Sequence, residues 1–147
     1  MARVTPFLWF DDDLEKAIEL YASLFGDVRA RALQKDPAGK LFVAEFEILG
    51  QKVQAMNAGP GHPHSDAFSF YVSVQGQDEV DHYWNGLLAD GGQESQCGWL
   101  IDPFGISWQI VPVELEKALS DPDPEKAQYA MQAMFRMQKI VIADLTA

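Results

Sequence analysis

The chain has 147 residues and a formal net charge of −11, and 48% of its residues are hydrophobic. This length predicts one domain or two small modules around a shared core, and the apolar content is enough to build that core. The charge would repel phosphate backbones and anionic lipids, so it argues against nucleic acid and membrane partners. The single Cys97, the lack of a long apolar run and an N-terminus unlike a signal peptide together predict a cytoplasmic protein.

The first half of the chain predicts a strand, a helix and three further strands. These predicted elements are a strand at 4–10, a helix at 14–25 ended by Gly26, and strands at 28–33, 41–49 and 52–57. Three aspartates, Asp11 to Asp13, precede the helix, and we interpret them as helix caps rather than as a metal site. Glu45 and Glu47 share one strand face, which we interpret as solvated rather than catalytic.

A linker rich in Gly and Pro, residues 59–66, separates the two halves. Its two histidines, His62 and His64, could bind a metal ion. Because no third ligand lies nearby in the sequence, an exposed pair of loop residues is the preferred interpretation.

The second half predicts a strand at 67–74, a helix that begins near Asp78 and ends before Gly91, and then strands at 93–96, 97–101 and 106–111. The last two strands flank residues 102–105, whose Asp, Pro and Gly fit a type I turn. Cys97 has no base or cation beside it in the sequence, so we predict a buried strand cysteine rather than a nucleophile.

The tail, residues 113–147, predicts two more helices. The first covers 113–119, and the second begins with Asp123 as its N-cap and Pro124 at its first position. The apolar stripe of the second helix consists of Ala127, Ala130, Met131, Met134 and Phe135. A stripe of this size packs on its own domain or on a second subunit, and we expect a homodimer.

The two halves share their order of elements and a pair of equivalent residues. Gly50 precedes Gln54 by four positions and Gly105 precedes Gln109 by four, so both residues recur after the same interval. We therefore predict an α+β fold of two paired βαβββ modules, residues 1–58 and 67–112, with a C-terminal helical extension. One such module leaves a sheet face uncovered, so the pair is expected to enclose a cleft within a curved mixed sheet.

Paired modules of this kind resemble the vicinal oxygen chelate superfamily, which includes glyoxalase I, extradiol dioxygenases and bleomycin-resistance proteins. Four segments resemble its PhnB-like group, also labelled 3-demethylubiquinone-9 3-methyltransferase. They are PFLWFDDDLEKAIELYASLFGD, VAEFEILGQKVQAMNAGP, QCGWLIDPFGISWQIVP and DPDPEKAQYAMQAM. The resemblance covers nearly the whole chain, including the tail.

The resemblance implies a divalent metal site, which this sequence lacks the residues to build. The superfamily's enzymes generally bind the metal through His and Glu on the first and last strands of each module. Here the last-strand positions fall on Gln54 and Gln109, and the first strands contain no His, Asp, Glu or Cys. Since amide oxygens are poor ligands for a catalytic transition metal, we expect no metal and no other cofactor.

The preferred hypothesis is a metal-free cleft that binds a small, partly aromatic or amide-bearing molecule. The candidate ligand-binding residues are Gln54, Ser69, Tyr71, Ser107 and Gln109. One alternative is the methyltransferase of the family label, which would act on a quinone-like substrate. No G-x-G-x-x-G motif for S-adenosylmethionine supports it. The others are a divalent-metal-dependent enzyme and a protein whose main role is self-association.

Overall fold

A computed structural model describes residues 1–147, which divide into two compact units, residues 1–64 and 65–147. The first unit contains β1 (Phe7–Phe10), α1 (Leu14–Phe25), β2 (Arg31–Lys35), β3 (Leu41–Ile48) and β4 (Gln51–Asn57). Its sheet has the strand order β1-β4-β3-β2. The edge strand β1 is parallel to β4, and the other pairs are antiparallel.

The second unit repeats this topology. It contains β5 (Ser69–Val74), α2 (Gly76–Leu88), β6 (Gln93–Glu94), β7 (Trp99–Ile101) and β8 (Ser107–Pro112). The strand order is β5-β8-β7-β6, again with the first strand parallel to the last. The prediction of two βαβββ modules is therefore confirmed.

The helical extension follows the second sheet. It consists of α3 (Val113–Leu119), α4 (Pro124–Phe135) and a short 3-10 helix at Ile142–Leu145 that the sequence did not predict. Asp123 caps α4 as predicted, because its Oδ1 accepts a hydrogen bond of 3.0 Å from the N–H of Glu125. None of the helices has the length and apolar composition needed to span a bilayer.

Each sheet buries one face under the helix of its own unit. In the first unit, Leu14, Ala17 and Tyr21 of α1 are fully buried, and the Tyr21 ring lies 6.1 Å from that of Phe46. In the second unit, Val80, Trp84 and Leu87 form the buried side of α2. Burying the apolar face of each strand leaves its alternate residues on the opposite face of the sheet.

Trp108 is the centre of the second core and has no exposed surface. Its ring lies 4.8 Å from that of Phe70 of β5, measured between the ring centroids. The parallel pairing of β5 with β8 explains this partner, since it places Phe70 beside Trp108 in register.

The turn before β8 is organised by the carboxylate of Asp102, which is 2% exposed. Its Oδ1 accepts hydrogen bonds from the N–H groups of Phe104 and Ile106, at 2.9 and 3.0 Å, and its Oδ2 accepts one from the Trp108 indole at 2.9 Å. The N–H of Gly105 donates to the Asp102 carbonyl at 3.0 Å, so the predicted four-residue turn is present. A charge buried this deeply requires such partners.

Cys97 lies in a turn, which makes the prediction of a buried strand cysteine wrong. It is half-buried with a positive φ of 60°, and Gly98 follows with a φ of 86°. The N–H groups of these two residues donate to the carbonyls of Met137 and Gln138 in the tail. The strand begins only at Trp99, because the backbone of the two preceding residues is bonded to the tail.

The N-terminus of α1 is capped by Asn57 rather than by an aspartate. Its Oδ1 accepts from the N–H of Leu14 at 3.0 Å, and its Nδ2 donates to Glu15 at 2.7 Å. Asp13, at the N-cap position, makes no side-chain capping bond, and Asp12 pairs with Lys40. A cap that comes from the end of β4 cannot be recognised from the local pattern around the helix.

Several strand boundaries also differ from those predicted. β1 begins at Phe7 rather than at Val4, and β2 lies at Arg31–Lys35 rather than at 28–33. Both are edge strands that pair on one side only. Their ends are therefore set by the neighbouring strand more than by their own sequence.

The tail packs on its own unit. Val111, Leu115, Ala133, Met137, Ile140 and Leu145 form one buried cluster. Gln77 of α2 holds the chain there, since its Nε2 donates to the Ile140 carbonyl and its Oε1 accepts from the N–H of Ile142. Lys139 forms an ion pair of 2.8 Å with Asp81.

The predicted stripe of α4 does not act as one packing surface. Ala130 is buried and Met134 partly so, but Met131 and Phe135 are 46% and 61% exposed. The buried residues of α4 are instead Ala130 and Ala133, and Met137 is buried just beyond the end of the helix. The homodimer stays a prediction.

We expect Asp102→Ala to destabilise the protein by at least about 3 kcal/mol, because two buried donors and one partly buried donor lose their acceptor. Asp102→Asn should cost less, since its carbonyl oxygen can still accept the two backbone bonds. The measurement is urea unfolding, with exposed Asp90→Ala as the control. If Asp102→Ala is no more destabilising than this control, the carboxylate does not hold the turn.

Candidate ligand-binding faces

Gln54 and Gln109 occupy equivalent positions in the two sheets. Gln54 lies in register between Phe7 of β1 and Glu45 of β3. Gln109 lies between Tyr71 of β5 and Trp99 of β7. Both glutamines are half-buried, and the residues on either side of them in the strand are buried. Each therefore lies on the face that its own helix does not cover.

In the first unit, Glu45 is the centre of a charged network beside Gln54. Its carboxylate accepts from Arg31 Nε at 2.8 Å and lies 3.8 Å from Lys52 Nζ. The hydrogen bond and charge of Arg31, the charge of Lys52 and a hydrogen bond from Gln54 hold the pKa of Glu45 below its ordinary value. Its side chain is 13% exposed, so it belongs to an ion-pair network and not to a freely solvated face.

Gln54 lies beside this network. A carboxylate can only accept hydrogen bonds, so a hydrogen bond between the two side chains runs from the Gln54 NH₂ to Glu45.

The linker histidines pack on Trp9, two residues along β1 from Phe7. The His64 Nε2–H donates to the Trp9 carbonyl at 2.8 Å, and the His62 ring lies 4.0 Å from the Trp9 ring. The Trp9 indole donates to the Gly59 carbonyl at 2.8 Å. His62 is exposed as expected, but His64 is half-buried and hydrogen-bonded, so the two are not a free loop pair.

In the second unit, four of the five candidate residues share one sheet face. Tyr71, Gln109 and Trp99 form one row across the strands, and Ser69 and Ser107 lie in the next row. Gln109 Nε2 donates to Ser69 Oγ at 3.0 Å. Gln54, the fifth candidate, lies on the corresponding face of the first unit.

The tail contributes a residue to this face that the sequence did not identify. Glu116 of α3 accepts a hydrogen bond of 3.1 Å from the Tyr71 hydroxyl. Burial of the hydroxyl, together with the hydrogen bond and charge of Glu116, raises the pKa of Tyr71 to about 12. The phenol stays neutral well above pH 7, and its O–H donates a hydrogen bond to Glu116. Since Glu116 is 45 residues from Tyr71, no local pattern could indicate this pair.

Two cavities are lined by residues other than the five candidates. One of about 590 Å³ is lined by tail residues that include Asp121, Tyr129 and Leu145. The other, of about 390 Å³, is lined by residues that include Asp12 and Lys40. No group of three or more His, Cys, Asp or Glu side chains is close enough together to hold a metal ion.

Comparison with known proteins gives one family match. The family model described as 3-demethylubiquinone-9 3-methyltransferase matches residues 2–111. None of the curated proteins matches the chain significantly.

Solved structures show the same fold. The PhnB protein from Bacillus cereus, named as a candidate 3-demethylubiquinone-9 3-methyltransferase, is 26% identical with a TM-score of 0.64, over 76% of this chain and 99% of that one. A glyoxalase-related enzyme from Fulvimarina pelagi is 20% identical with a TM-score of 0.51, over 76% and 88%. The fosfomycin resistance protein FosX from Listeria monocytogenes, solved with Mn(II) and sulfate, is 18% identical with a TM-score of 0.56, over 75% and 91%.

The residues at the metal positions expected from the family resemblance do not fit a transition metal. The last-strand positions hold the amides of Gln54 and Gln109, and the Gln109 NH₂ is bonded to Ser69. The first strands contribute Phe7 and Tyr71 beside them. This set offers no imidazole, thiolate or free carboxylate to a transition metal.

The two faces of β8 should respond differently to mutation. Trp108→Ala should destabilise the protein by about 3–5 kcal/mol, as truncation of a large core side chain does. Gln109→Ala should cost less than about 1 kcal/mol, because water can replace the half-buried amide as a partner of Ser69. Urea unfolding of both variants measures the difference. If the two variants lose the same free energy of unfolding, Gln109 lies in the core and the assignment of the two faces of β8 is wrong.

Proposed function

Because the chain belongs to the 3-demethylubiquinone-9 3-methyltransferase family and has the glyoxalase/bleomycin-resistance fold, we propose that it binds a small organic molecule without a metal ion. The proposed ligand-binding residues are Gln54, Ser69, Tyr71, Ser107 and Gln109. The observation that carries the proposal is the row formed by Tyr71, Gln109 and Trp99. It combines an oriented amide with aromatic surface on a face that α2 does not cover.

The hydrogen bonds of this row favour binding over an incidental surface. Gln109 is held by Ser69, and Tyr71 is held by Glu116. Side chains fixed in this way lose little conformational entropy when a ligand binds, which improves affinity. Small-molecule sites typically combine aromatic surface with a few polar groups that determine orientation.

Methyl transfer is the second candidate, since the family description and the name of the Bacillus cereus relative both refer to it. It would need a site for S-adenosylmethionine. None of the glycine-containing turns has the spacing of a nucleotide-binding motif. The expected cleft, the homodimer and the cytoplasmic location stay predictions.

A thermal-shift screen tests the proposal, because a ligand of the folded state raises its apparent stability. The screen should contain a metabolite library, S-adenosylmethionine, and Mn²⁺, Ni²⁺ and Zn²⁺, and the protein should carry no His tag. We expect organic compounds to raise the melting temperature of the wild type, and Gln109→Ala to reduce this shift. The exposed variant Asp90→Asn serves as the control and should behave as wild type.

Elemental analysis of the same protein tests the contrary outcome, which is a bound transition metal. One equivalent of a transition metal that disappears in Gln109→Ala would show that the amide supports a metal centre. Stabilisation by S-adenosylmethionine alone would favour the methyltransferase. The metal result would overturn the proposed metal-free binding function, whereas the S-adenosylmethionine result would replace simple binding with the second candidate, methyl transfer.

A further inference from the structure

The hydrogen bonds of the second sheet leave three acceptor oxygens at the candidate face, on Tyr71, Glu116 and Gln109. A carboxylate only accepts, so the Tyr71 hydroxyl proton is committed to Glu116, and the Tyr71 oxygen can then only accept. The second carboxylate oxygen of Glu116 is a further acceptor. Gln109 donates through Nε2 to Ser69, which turns its amide oxygen away from that contact. A ligand that meets these atoms must donate hydrogen bonds.

Aromatic rings flank Gln109 on both sides of this row. Tyr71 is 53% exposed and Trp99 is half-buried. They lie on the strands to either side of β8, which places their backbones about 10 Å apart. The faces of Tyr and Trp rings attract cations within about 6 Å of the ring centre. A flat cation that lies over β8, between the two rings, can reach either of them.

The net charge of the second unit also favours a cationic ligand. Residues 65–147 contain 13 acidic and four basic side chains, a formal net charge of −9, against −2 for residues 1–64. All four basic residues lie in the tail, at Lys117, Lys126, Arg136 and Lys139, and none on the strands of the sheet. The field of such a unit concentrates cations and repels anions. The first unit differs, since Arg31 and Lys52 lie beside Gln54 on its sheet.

We infer that the face formed by Tyr71, Gln109, Trp99 and Glu116 selects an organic cation, a flat molecule with an amine or amidine group. This inference rests on the proposed small-molecule binding and adds the chemical class of the ligand. The cationic group meets the oxygens of Tyr71 and Glu116, and the flat part of the ligand lies against the aromatic rings.

Three probes of the same shape and different charge test this selectivity. Benzamidine is a flat cation, benzamide is its neutral counterpart and benzoate is the corresponding anion. Isothermal titration calorimetry of the wild type at low salt should give a benzamidine affinity at least about tenfold above that of benzoate, since the face carries acceptors and a repulsive charge for the anion. The preference should weaken at high salt, because screening reduces the contribution of the net charge.

Matched variants test whether the preference for benzamidine comes from Glu116 and Tyr71. Glu116→Gln removes one charge at the face, and Asp90→Asn removes one charge beyond the end of α2, the helix that covers the opposite side of the sheet. We expect Glu116→Gln to weaken benzamidine binding about fivefold or more without changing that of benzamide, and Asp90→Asn to change it less than twofold. Tyr71→Phe keeps the ring and removes the hydroxyl oxygen, so it should weaken benzamidine binding as well. Circular dichroism confirms that each variant is folded.

The results that overturn the inference are distinct from those that overturn the proposed function. Benzoate that binds as tightly as benzamidine, or a Glu116→Gln variant that behaves as Asp90→Asn, contradicts selection of a cation at this face. If the thermal-shift screen yields ligands that are all anionic, small-molecule binding stands and the chemical class is wrong. If neither the library nor benzamidine binds, both proposals fail.

Discussion

The buried carboxylate of Asp102 holds β8 with Trp108 on its core side. It accepts hydrogen bonds from two backbone N–H groups of the turn and from the indole N–H of Trp108. It therefore connects the turn to the second residue of β8. Because a strand alternates its faces, directing Trp108 inward necessarily places Gln109 on the other side. Pairing with β5 then aligns Gln109 with Tyr71. The buried acid and the buried side chains of Ile106, Trp108 and Ile110 therefore set the position of the candidate face together.

The tail completes that face by packing against its far end. Gly98 allows the approach, since a Cβ there would lie 3.2 Å from both the Ile110 carbonyl oxygen and Ile140 Cγ1. Ile140 and Met137 pack in one buried cluster with Val111 and with Leu115 of α3. This packing positions α3 so that Glu116 accepts the hydrogen bond of the Tyr71 hydroxyl. The first unit has no such tail, and its glutamine lies in register beside Glu45, which is paired with Arg31 and Lys52. Two modules with one topology thus present a charged network in one case and an aromatic row in the other.

The sequence predicted the features that depend on local patterns. The repeated βαβββ order follows from hydrophobic periodicity and turn residues, and the equivalence of Gln54 and Gln109 follows from equal spacing within the two modules. Contacts between residues distant in the chain could not be predicted in this way. Asn57 caps α1 from 43 positions away, and Glu116 binds Tyr71 from 45 away. Cys97 looked like a strand residue because nothing in its neighbourhood shows that its N–H bonds to the tail. On α4, periodicity identified an apolar helix but could not distinguish its buried residues from exposed Met131 and Phe135.

The central claim is that ligands bind at the row of Tyr71, Gln109 and Trp99, and the four tryptophan indole signals in a ¹⁵N–¹H NMR spectrum test it most directly. The indole N–H of Trp108 is bonded to Asp102 and that of Trp84 to Glu94, on the buried side of the second sheet. Trp99 lies on the candidate face. After assignment by Trp→Phe variants, addition of the tightest compound from the screen should shift the Trp99 signal and leave those of Trp84 and Trp108 in place. A bound compound that leaves the Trp99 signal unchanged would contradict the account.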